Sequence, residues 1–445
     1  MIQNNFKNLL RDKIKKKKAK IAIIGLGYVG LPLAKAFCKK NIKVVGLDID
    51  ESKIEHLNSG KSYIEHIPDK DISQMINKKL FLSSTDFSLL KEVDAIIICV
   101  PTPLNSQKEP DLKAVLNTAR SISKHLQKGQ LVILESSTYP GTTDEELTNI
   151  LIESGLKKDK DFFLAYSPER EDPGNKKFST SSIPKIVGAD SDYALDLSVT
   201  LYESVIDKVI PVSSSRTAEA IKLTENIFRS VNIALMNELK VIFETMDIDV
   251  WDVIEGASTK PFGFMPFYPG PGLGGHCIPI DPFYLAYKAR QHNVQSRFIE
   301  LAGEINTNMP NHVVSRLIKA LKLHAKRSIK NSKILIIGMA YKKNIDDMRE
   351  SPSLVMTELL EALGSKVDYY DKLIPVIPKT REHSALAGRK SIKLLPKALK
   401  SYDAVLISTN HDDTNYKMIA NNASLIIDTR DVMRNYPGKA LVIKA

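Results

Sequence analysis

The residues richest in chemical capacity lie in one stretch, Phe267–Pro282, which reads FYPGPGLGGHCIPIDP. Phe267 and Tyr268 open it, Gly270, Gly272, Gly274 and Gly275 lead to His276 and Cys277, and prolines hold the exit to Asp281. Glycine tolerates φ > 0 and lets backbone N–H groups approach an anion with no Cβ between them. A cysteine at the end of such a loop is placed for its thiolate to meet a phosphate-anchored substrate. A rigid turn beside a small buried thiol uses the same residues, since free cysteine is among the most buried residue types.

A second constellation opens the chain. Lys20–Ile24 is a short apolar strand that runs into Gly25-Leu26-Gly27-Tyr28-Val29-Gly30, and a helical pattern follows through Leu33, Ala34 and Phe37. The next strand, Val44–Leu47, ends at Asp48. This is the dinucleotide fingerprint in its required context. Gly25 makes the tight turn, Gly27 admits the pyrophosphate, and Gly30 lets helix and strand approach. The helix N-terminus faces the phosphates. Asp48 can accept from the ribose hydroxyls and repels a 2′-phosphate, so the spacing predicts NAD rather than NADP.

Other polar residues stand at strand ends, where open α/β sheets bind their ligands. Asp94–Val100 ends in Pro101-Thr102-Pro103, and Leu131–Leu134 ends in ESSTYPGTT with Thr138 inside it. Helix capping is the equal alternative there, because Thr142 and Thr143 precede Asp144-Glu145-Glu146. Phe162–Tyr166 is followed by Ser167-Pro168, an ordinary helix start, which leaves Glu169 as a carboxylate at a strand end. Lys222 and Asn226 lie four apart and share one helix face, which spacing alone also allows to be solvated.

These residues need elements to hold them. The first block, 19–210, alternates strands and helices. From Thr217 to Met246 the chain is one long helical pattern, and a second helix runs from Phe283 through Asn306. Two long helices between α/β blocks predict a spine that supplies a dimer interface, with the glycine–cysteine stretch at the turn between them. A second doubly wound unit follows, with strands Lys333–Ile337, Lys366–Tyr370, Ala404–Ile407 and Leu425–Ile427. Its first turn holds one glycine and a lysine cluster, Lys342-Lys343, which suits a diphosphate other than NAD. Arg349 can hold phosphate or bridge domains, or form a structural ion pair. The fold class expected is α/β, two doubly wound Rossmann-like domains joined by a long-helix segment. The boundaries expected are 1–18, 19–210, 211–310 and 311–445.

Composition fits this plan. A chain of 445 residues, 43% hydrophobic and with no apolar run of spanning length, reads as a soluble protein of about three domains with no integral membrane segment. No secretory signal opens it, and three scattered cysteines do not form a disulfide framework, so a reducing cytoplasm is expected. The net charge of +11 suits acidic substrates and does not by itself argue for nucleic acid. Residues 7–20 hold eight Lys or Arg against Asp12. Ile2, Phe6, Leu9, Leu10 and Ile14 recur there at helical spacing, which reads as a basic lead-in helix facing solvent, with an acidic surface or a partner as the alternative.

GLGYVGLPLA, VPTPL, ESSTYPGTT, SPEREDPGN, the Lys222–Asn226 pair, GGHCIPIDP and YKKNIDDMRESP follow one another in a fixed order. Together they resemble the UDP-glucose/GDP-mannose dehydrogenase family over nearly the whole chain after about residue 18. Within it they resemble the branch acting on UDP-N-acetylglucosamine in surface-polysaccharide synthesis. The resemblance implies oxidation of a sugar's primary alcohol to a carboxylate with two NAD and no metal. It matches Cys277 to the family nucleophile, Lys222 and Asn226 to oxyanion donors, and Glu169 to the carboxylate of the hydrolytic half. Thr138 and Asp281 match groups that hold the catalytic water. Glu171 is at the position of a second family carboxylate, in a local spacing that differs from the glucose-specific members.

Tyr28, Val29, Thr102 and Arg349 are expected at the cofactor, with Thr138 beside them. Phe267, Tyr268, Gly272, Gly274, Gly275, His276 and Lys342 are expected at the UDP-sugar, and the central helices are expected to form a homodimer. His276 before Cys277, with SPEREDPGN, resembles the N-acetylhexosamine branch, so UDP-N-acetylglucosamine is expected first. UDP-N-acetylgalactosamine, UDP-N-acetylmannosamine and UDP-glucose are the alternatives. A one-step 3-hydroxyacid dehydrogenase shares the first domain and a helical lysine, and a non-enzymatic NAD sensor shares the first domain alone. Neither needs Cys277.

Overall fold

The computed structural model describes residues 2–64, 67–105, 107–170, 181–275, 278–380 and 382–445. They divide into two compact units, residues 1–225 with 283–294, and residues 226–282 with 295–445.

The first unit is built on one sheet. Its strands are β1 (Lys20–Ile24), β2 (Lys43–Leu47), β3 (Phe81–Ser84), β4 (Ala95–Ile98), β5 (Leu131–Leu134), β6 (Phe163–Tyr166), β7 (Lys185–Ala189) and β8 (Val209–Val212). They lie in the order β3-β2-β1-β4-β5-β6-β7-β8. Every pairing is parallel except β6 with β7. Parallel strands buried on both faces read as continuous apolar runs, and side chains alternate between the faces. Thus Ile21, Ile23, Ala95, Ile97, Leu131 and Ile133 fill one core, while Ala22, Ile24, Ile96, Ile98, Val132 and Leu134 fill the other. The carboxyl ends of β1, β2, β4, β5 and β6 therefore share one rim.

The basic head is helical from Ile2 to Lys15. Leu10 and Ile14 are buried in the first core, Lys7 and Arg11 reach Asp196 at 3.2 and 3.5 Å, and Lys13 reaches Asp94 at 2.6 Å. The expected solvated helix is thus a docked one, because its apolar stripe finds a core to cover. Lys15–Lys18 remain exposed.

The second unit carries β9 (Lys333–Ile337), β10 (Lys366–Tyr370), β11 (Ala404–Ile407), β12 (Leu425–Asp428) and β13 (Leu441–Lys444). Their order is β10-β9-β11-β12-β13, all parallel. The long helix spans Ser215–Thr245, with residues 215–225 counted in the first unit and 226–245 in the second. A shorter helix, Val250–Ser258, follows it and is capped by Asp249, whose side chain accepts from the Trp251 N–H. The single helix expected from Phe283 to Asn306 is two, Asp281–Gln291 and Arg297–Ala320. The break follows from Asn293, which takes φ 58° while the Val294 N–H returns to the Ala289 carbonyl at 2.9 Å. Asparagine is among the residues that accept this left-handed helix end.

Candidate active site

In the first unit the glycine turn after β1 has the geometry a dinucleotide needs. Gly25 takes φ +92°, and a Cβ there would lie 2.6 Å from the Cys99 carbonyl oxygen. A Cβ on Gly30 would lie 1.9 Å from the Gly25 carbonyl oxygen, so helix and strand meet only without one. Nothing lies within 4 Å of the corresponding point at Gly27, which leaves that backbone open to approach. Tyr28 and Val29 fill the turn between them. Asp48 Oδ2 accepts from the Leu26 N–H at 2.9 Å and from Lys53 Nζ at 3.1 Å, and Oδ1 accepts from the Asp50 N–H at 3.1 Å. Three donors leave one of the carboxylate's roughly four lone-pair positions for a ribose hydroxyl. These residues fit NAD.

The other strand ends converge on the same rim. Thr102 is buried and its carbonyl accepts from Tyr284 Oη at 2.6 Å. Thr138 has no exposed surface, and its hydroxyl finds no hydrogen-bond partner among the described residues. A buried hydroxyl so left costs about 1–3 kcal/mol, which marks a place where a ligand or water belongs. Past β6, Lys222 Nζ donates to the Glu169 carbonyl at 2.5 Å and lies 3.6 Å from its carboxylate. Lys222 is only 5% exposed, so its face of the helix is not a solvated one. Arg170 locks the same segment, forking onto Glu225 and donating to the Pro184 carbonyl at 2.7 Å. Glu135, at the end of β5, is buried between Lys185 and Tyr202 Oη.

In the second unit Asn226 Nδ2 donates to Asp281 Oδ2 at 2.6 Å, with both residues buried. The glycine stretch is held from its start. The Gly270 N–H donates to Asn237 Oδ1 at 2.9 Å, Asn237 Nδ2 to Asn306 Oδ1 at 2.9 Å, and Asn306 Nδ2 to the Ser230 carbonyl at 3.1 Å. The later glycines meet protein. A Cβ on Gly274 would lie 2.4 Å from Tyr341 Cβ, and one on Gly275 2.8 Å from the Tyr341 ring. The Gly275 N–H donates to the Arg349 carbonyl at 2.9 Å. Gly272 takes φ +135°. Phe267 packs edge-on to Phe228 and Tyr268 stacks on Trp251, each with centroids 5.6 Å apart. Arg349 forks onto Asp347, the ion-pair alternative of the sequence reading, and Lys342 is half-buried on the turn after β9. His276, Cys277 and Glu171 lie outside the described residues.

That second turn differs from the first in its acid. Asp371, at the end of β10, accepts from the Leu373 and Ile374 N–H groups on Oδ1 and from Met339 N–H, Ala340 N–H and His411 Nε2 on Oδ2. His411 Nδ1 accepts from the Asn344 N–H at 2.9 Å, so its proton sits on Nε2. Burial pushes the Asp371 carboxyl up, and His411 and the amides outweigh it and hold it below the usual range. Five donors saturate this carboxylate. Two further residues escaped the sequence reading: Arg430, half-buried beside Gly270 and donating to the Ser408 carbonyl at 2.9 Å, and Glu219, which grips the turn after Thr138. For Glu219 a signal existed, its polar spacing with Lys222 and Asn226.

Comparison with known proteins gives this geometry a family. Residues 19–206 match the NAD binding domain of the UDP-glucose/GDP-mannose dehydrogenase family, 216–308 its central domain and 335–435 its UDP binding domain. The chain is 35% identical over 402 residues to a UDP-N-acetyl-D-glucosamine 6-dehydrogenase of Pseudomonas aeruginosa, covering 89% of this chain and 92% of that one. It is 35% identical over 406 residues to a UDP-N-acetyl-D-mannosamine dehydrogenase of Campylobacter jejuni, covering 88% and 96%. Among solved structures, UDP-D-ManNAc dehydrogenase from Pyrococcus horikoshii superposes with a TM-score of 0.84 at 32% identity, covering 96% and 98%. No helix among the described residues is long and apolar enough to cross a membrane. With all three domains matched in order and an intact NAD turn, the chain belongs to the UDP-glucose/GDP-mannose dehydrogenase family.

Proposed function

We propose that this chain oxidises the C6 primary alcohol of a UDP-N-acetylhexosamine to the uronic acid, using two NAD and a thioester on Cys277. The observation that carries the reading is Lys222, an ammonium withdrawn from water and held against Glu169 at a strand end. NAD, when bound, takes up the hydride released at C6 in each oxidation. Lys222, with Asn226 as a neutral donor held by Asp281, stabilises the oxyanion that develops on the C6 oxygen. In the first oxidation C6 loses a hydride and its hydroxyl a proton, giving the aldehyde. The Cys277 thiolate then adds to C6, the adduct loses the second hydride, and a thioester results. Water held by Thr138 and Asp281, with Glu169 as the base, breaks the C–S bond and returns the thiolate.

In this reading residues 19–210 hold NAD, 311–445 hold the uridine diphosphate, and 211–310 supply the cysteine loop and a dimer face. Phe228, Leu235 and Ile242 on the long helix are 40–49% exposed, an apolar stripe at helical spacing that a second copy would cover. Two of the three likenesses reported above are to UDP-N-acetyl-D-mannosamine dehydrogenases, which moves first place from UDP-N-acetylglucosamine to UDP-N-acetylmannosamine.

A substrate panel tests the main claim. NADH and product mass, followed together, should give two NADH per sugar, with UDP-N-acetylmannosamine ahead of the gluco and galacto epimers. UDP-glucose should trail by roughly ten- to hundredfold in kcat/KM, since an acetamide pocket leaves about 1–3 kcal/mol of buried polar groups unpaired around a hydroxyl. One NADH per sugar would point to a single oxidation, and UDP-glucose in first place would remove the N-acetyl assignment.

Cys277→Ala should abolish uronic acid formation while NAD titration is nearly unchanged, because the glycine turn and Asp48 belong to β1 and β2. Near-normal acid production would sink the thioester.

Asp48→Ala should weaken NAD binding and narrow the gap to NADP by removing the charge that repels a 2′-phosphate. An undiminished preference for NAD would exclude Asp48 as the ribose acid.

Sedimentation should find a dimer that Leu235→Glu combined with Ile242→Glu converts to a folded monomer. A wild-type monomer at micromolar concentration would refute the dimer.

A further inference from the structure

Glu219 stands three residues before Lys222 on the long helix and has no exposed surface. Both its oxygens face the turn that follows Thr138. Oε2 accepts from the Gly141 N–H at 2.8 Å, and Oε1 accepts from the Thr143 N–H at 2.9 Å and the Thr143 hydroxyl at 2.7 Å. Those amides open the helical segment beginning at Thr142, where the first N–H groups have no partner within the helix. A carboxylate from a different element therefore does the capping that a local side chain usually does.

The grip has a cost. Burial pushes the Glu219 carboxyl up to about 7, the three hydrogen bonds oppose that shift, and Asp144 adds to it. Of the other acids on this turn, Asp144 and Glu145 pair with Arg216, Glu145 also with Lys288, and Glu146 accepts from Tyr139 Oη at 3.4 Å. A carboxylate placed here at such a penalty has a task beyond packing, and its neighbours along the chain indicate which. Gly141 is held in the left-handed region at φ +107°, and only Tyr139 and Pro140 separate it from Thr138. Proline fixes its own φ, which leaves fewer torsions to absorb a shift at Gly141 before it reaches Thr138.

We propose that Glu219 is a positioning residue that sets Thr138 in register with Lys222 by gripping Gly141 and Thr143. The inference rests on the catalytic reading of Thr138 and Lys222 given above and adds a residue to it. Glu219 touches neither substrate nor cofactor in this role. It fixes the distance between a hydroxyl on a strand-end turn and an ammonium one helical turn away, and misplacement by about 1 Å at a reacting centre can cost on the order of a hundredfold in rate.

The test uses the full-length protein with Glu219→Gln and Thr143→Val. Gln keeps the shape but turns an amide donor toward one backbone N–H, and Val removes the hydroxyl alone. Deuterium uptake of a peptide spanning 138–147 should rise in both variants, more in Glu219→Gln. In the same preparations kcat should fall roughly tenfold or more in Glu219→Gln and less in Thr143→Val, with the NAD dissociation constant and the melting temperature of Thr143→Val nearly unchanged. Unaltered uptake over 138–147 in both variants overturns the proposal, and so does a loss of kcat matched by an equal loss of NAD affinity. Should Glu219→Gln not fold, Thr143→Val decides by the same readouts. A wild-type protein that turned over no sugar nucleotide would defeat the functional reading, while the exchange data would still judge the grip on the turn.

Discussion

A polar group taken out of water must meet a partner, and one helix in this protein presents a whole row of them. Along Ser215–Thr245, Ser215, Glu219, Lys222, Asn226, Ser230, Asn237 and Lys240 are all buried, at steps of three, four or seven that keep them on one face. Six of them are matched to a different piece of chain. Ser215 donates to Asp190, Glu219 accepts from the Thr138 turn, and Lys222 donates to Glu169. Asn226 donates to Asp281, Ser230 accepts from Asn306, and Asn237 accepts from Gly270. Residues 215–225 thus hold loops of the first unit, and residues 226–245 hold loops of the second. Lys240, whose burial lowers its ammonium to about 8, is the one member with no hydrogen-bond partner among the described residues.

The opposite face carries the complementary anomaly. Phe228, Leu235 and Ile242 are exposed where a surface helix normally shows charge. This inversion explains what the sequence revealed and what it hid. Ile221, Ile227, Val231, Ala234, Leu235 and Leu239 recur at helical spacing and mark the helix, but such a pattern assumes that apolar residues face the inside. The polar residues at 219, 230 and 237 went unread because their meaning lies in which loops they meet, and those loops are far away in the chain.

Elsewhere legibility followed burial. Strands covered on both faces, such as β1, β4, β5, β9 and β11, announced themselves as unbroken apolar runs, and Gly25, Gly27 and Gly30 announced the turn after β1. Of the four edge strands, β10 was legible and β3, β8 and β13 were not. β8 contains Pro211, β13 is half exposed, and β3 reads FLSS, so none offers the pattern that two-sided burial imposes. The glycine stretch was legible as special, with anion approach and a rigid turn as the alternatives. At Gly274 and Gly275 the space a Cβ would take belongs to Tyr341. The same missing atom serves close packing and ligand approach, and sequence alone does not distinguish them.

The clasp of His411 on Asp371 bears on how binding sites are counted from sequence. Both units place an aspartate at the end of the strand beside the first, the position where a dinucleotide-binding fold receives a ribose. In one unit three donors leave the carboxylate a free lone pair; in the other a histidine completes a set of five. A search keyed on that acid alone would count two dinucleotide sites in this chain. Architecture can recur within a protein without its binding chemistry recurring, and here the residue that separates the two cases lies just past the third strand of the second sheet, remote from the motif itself.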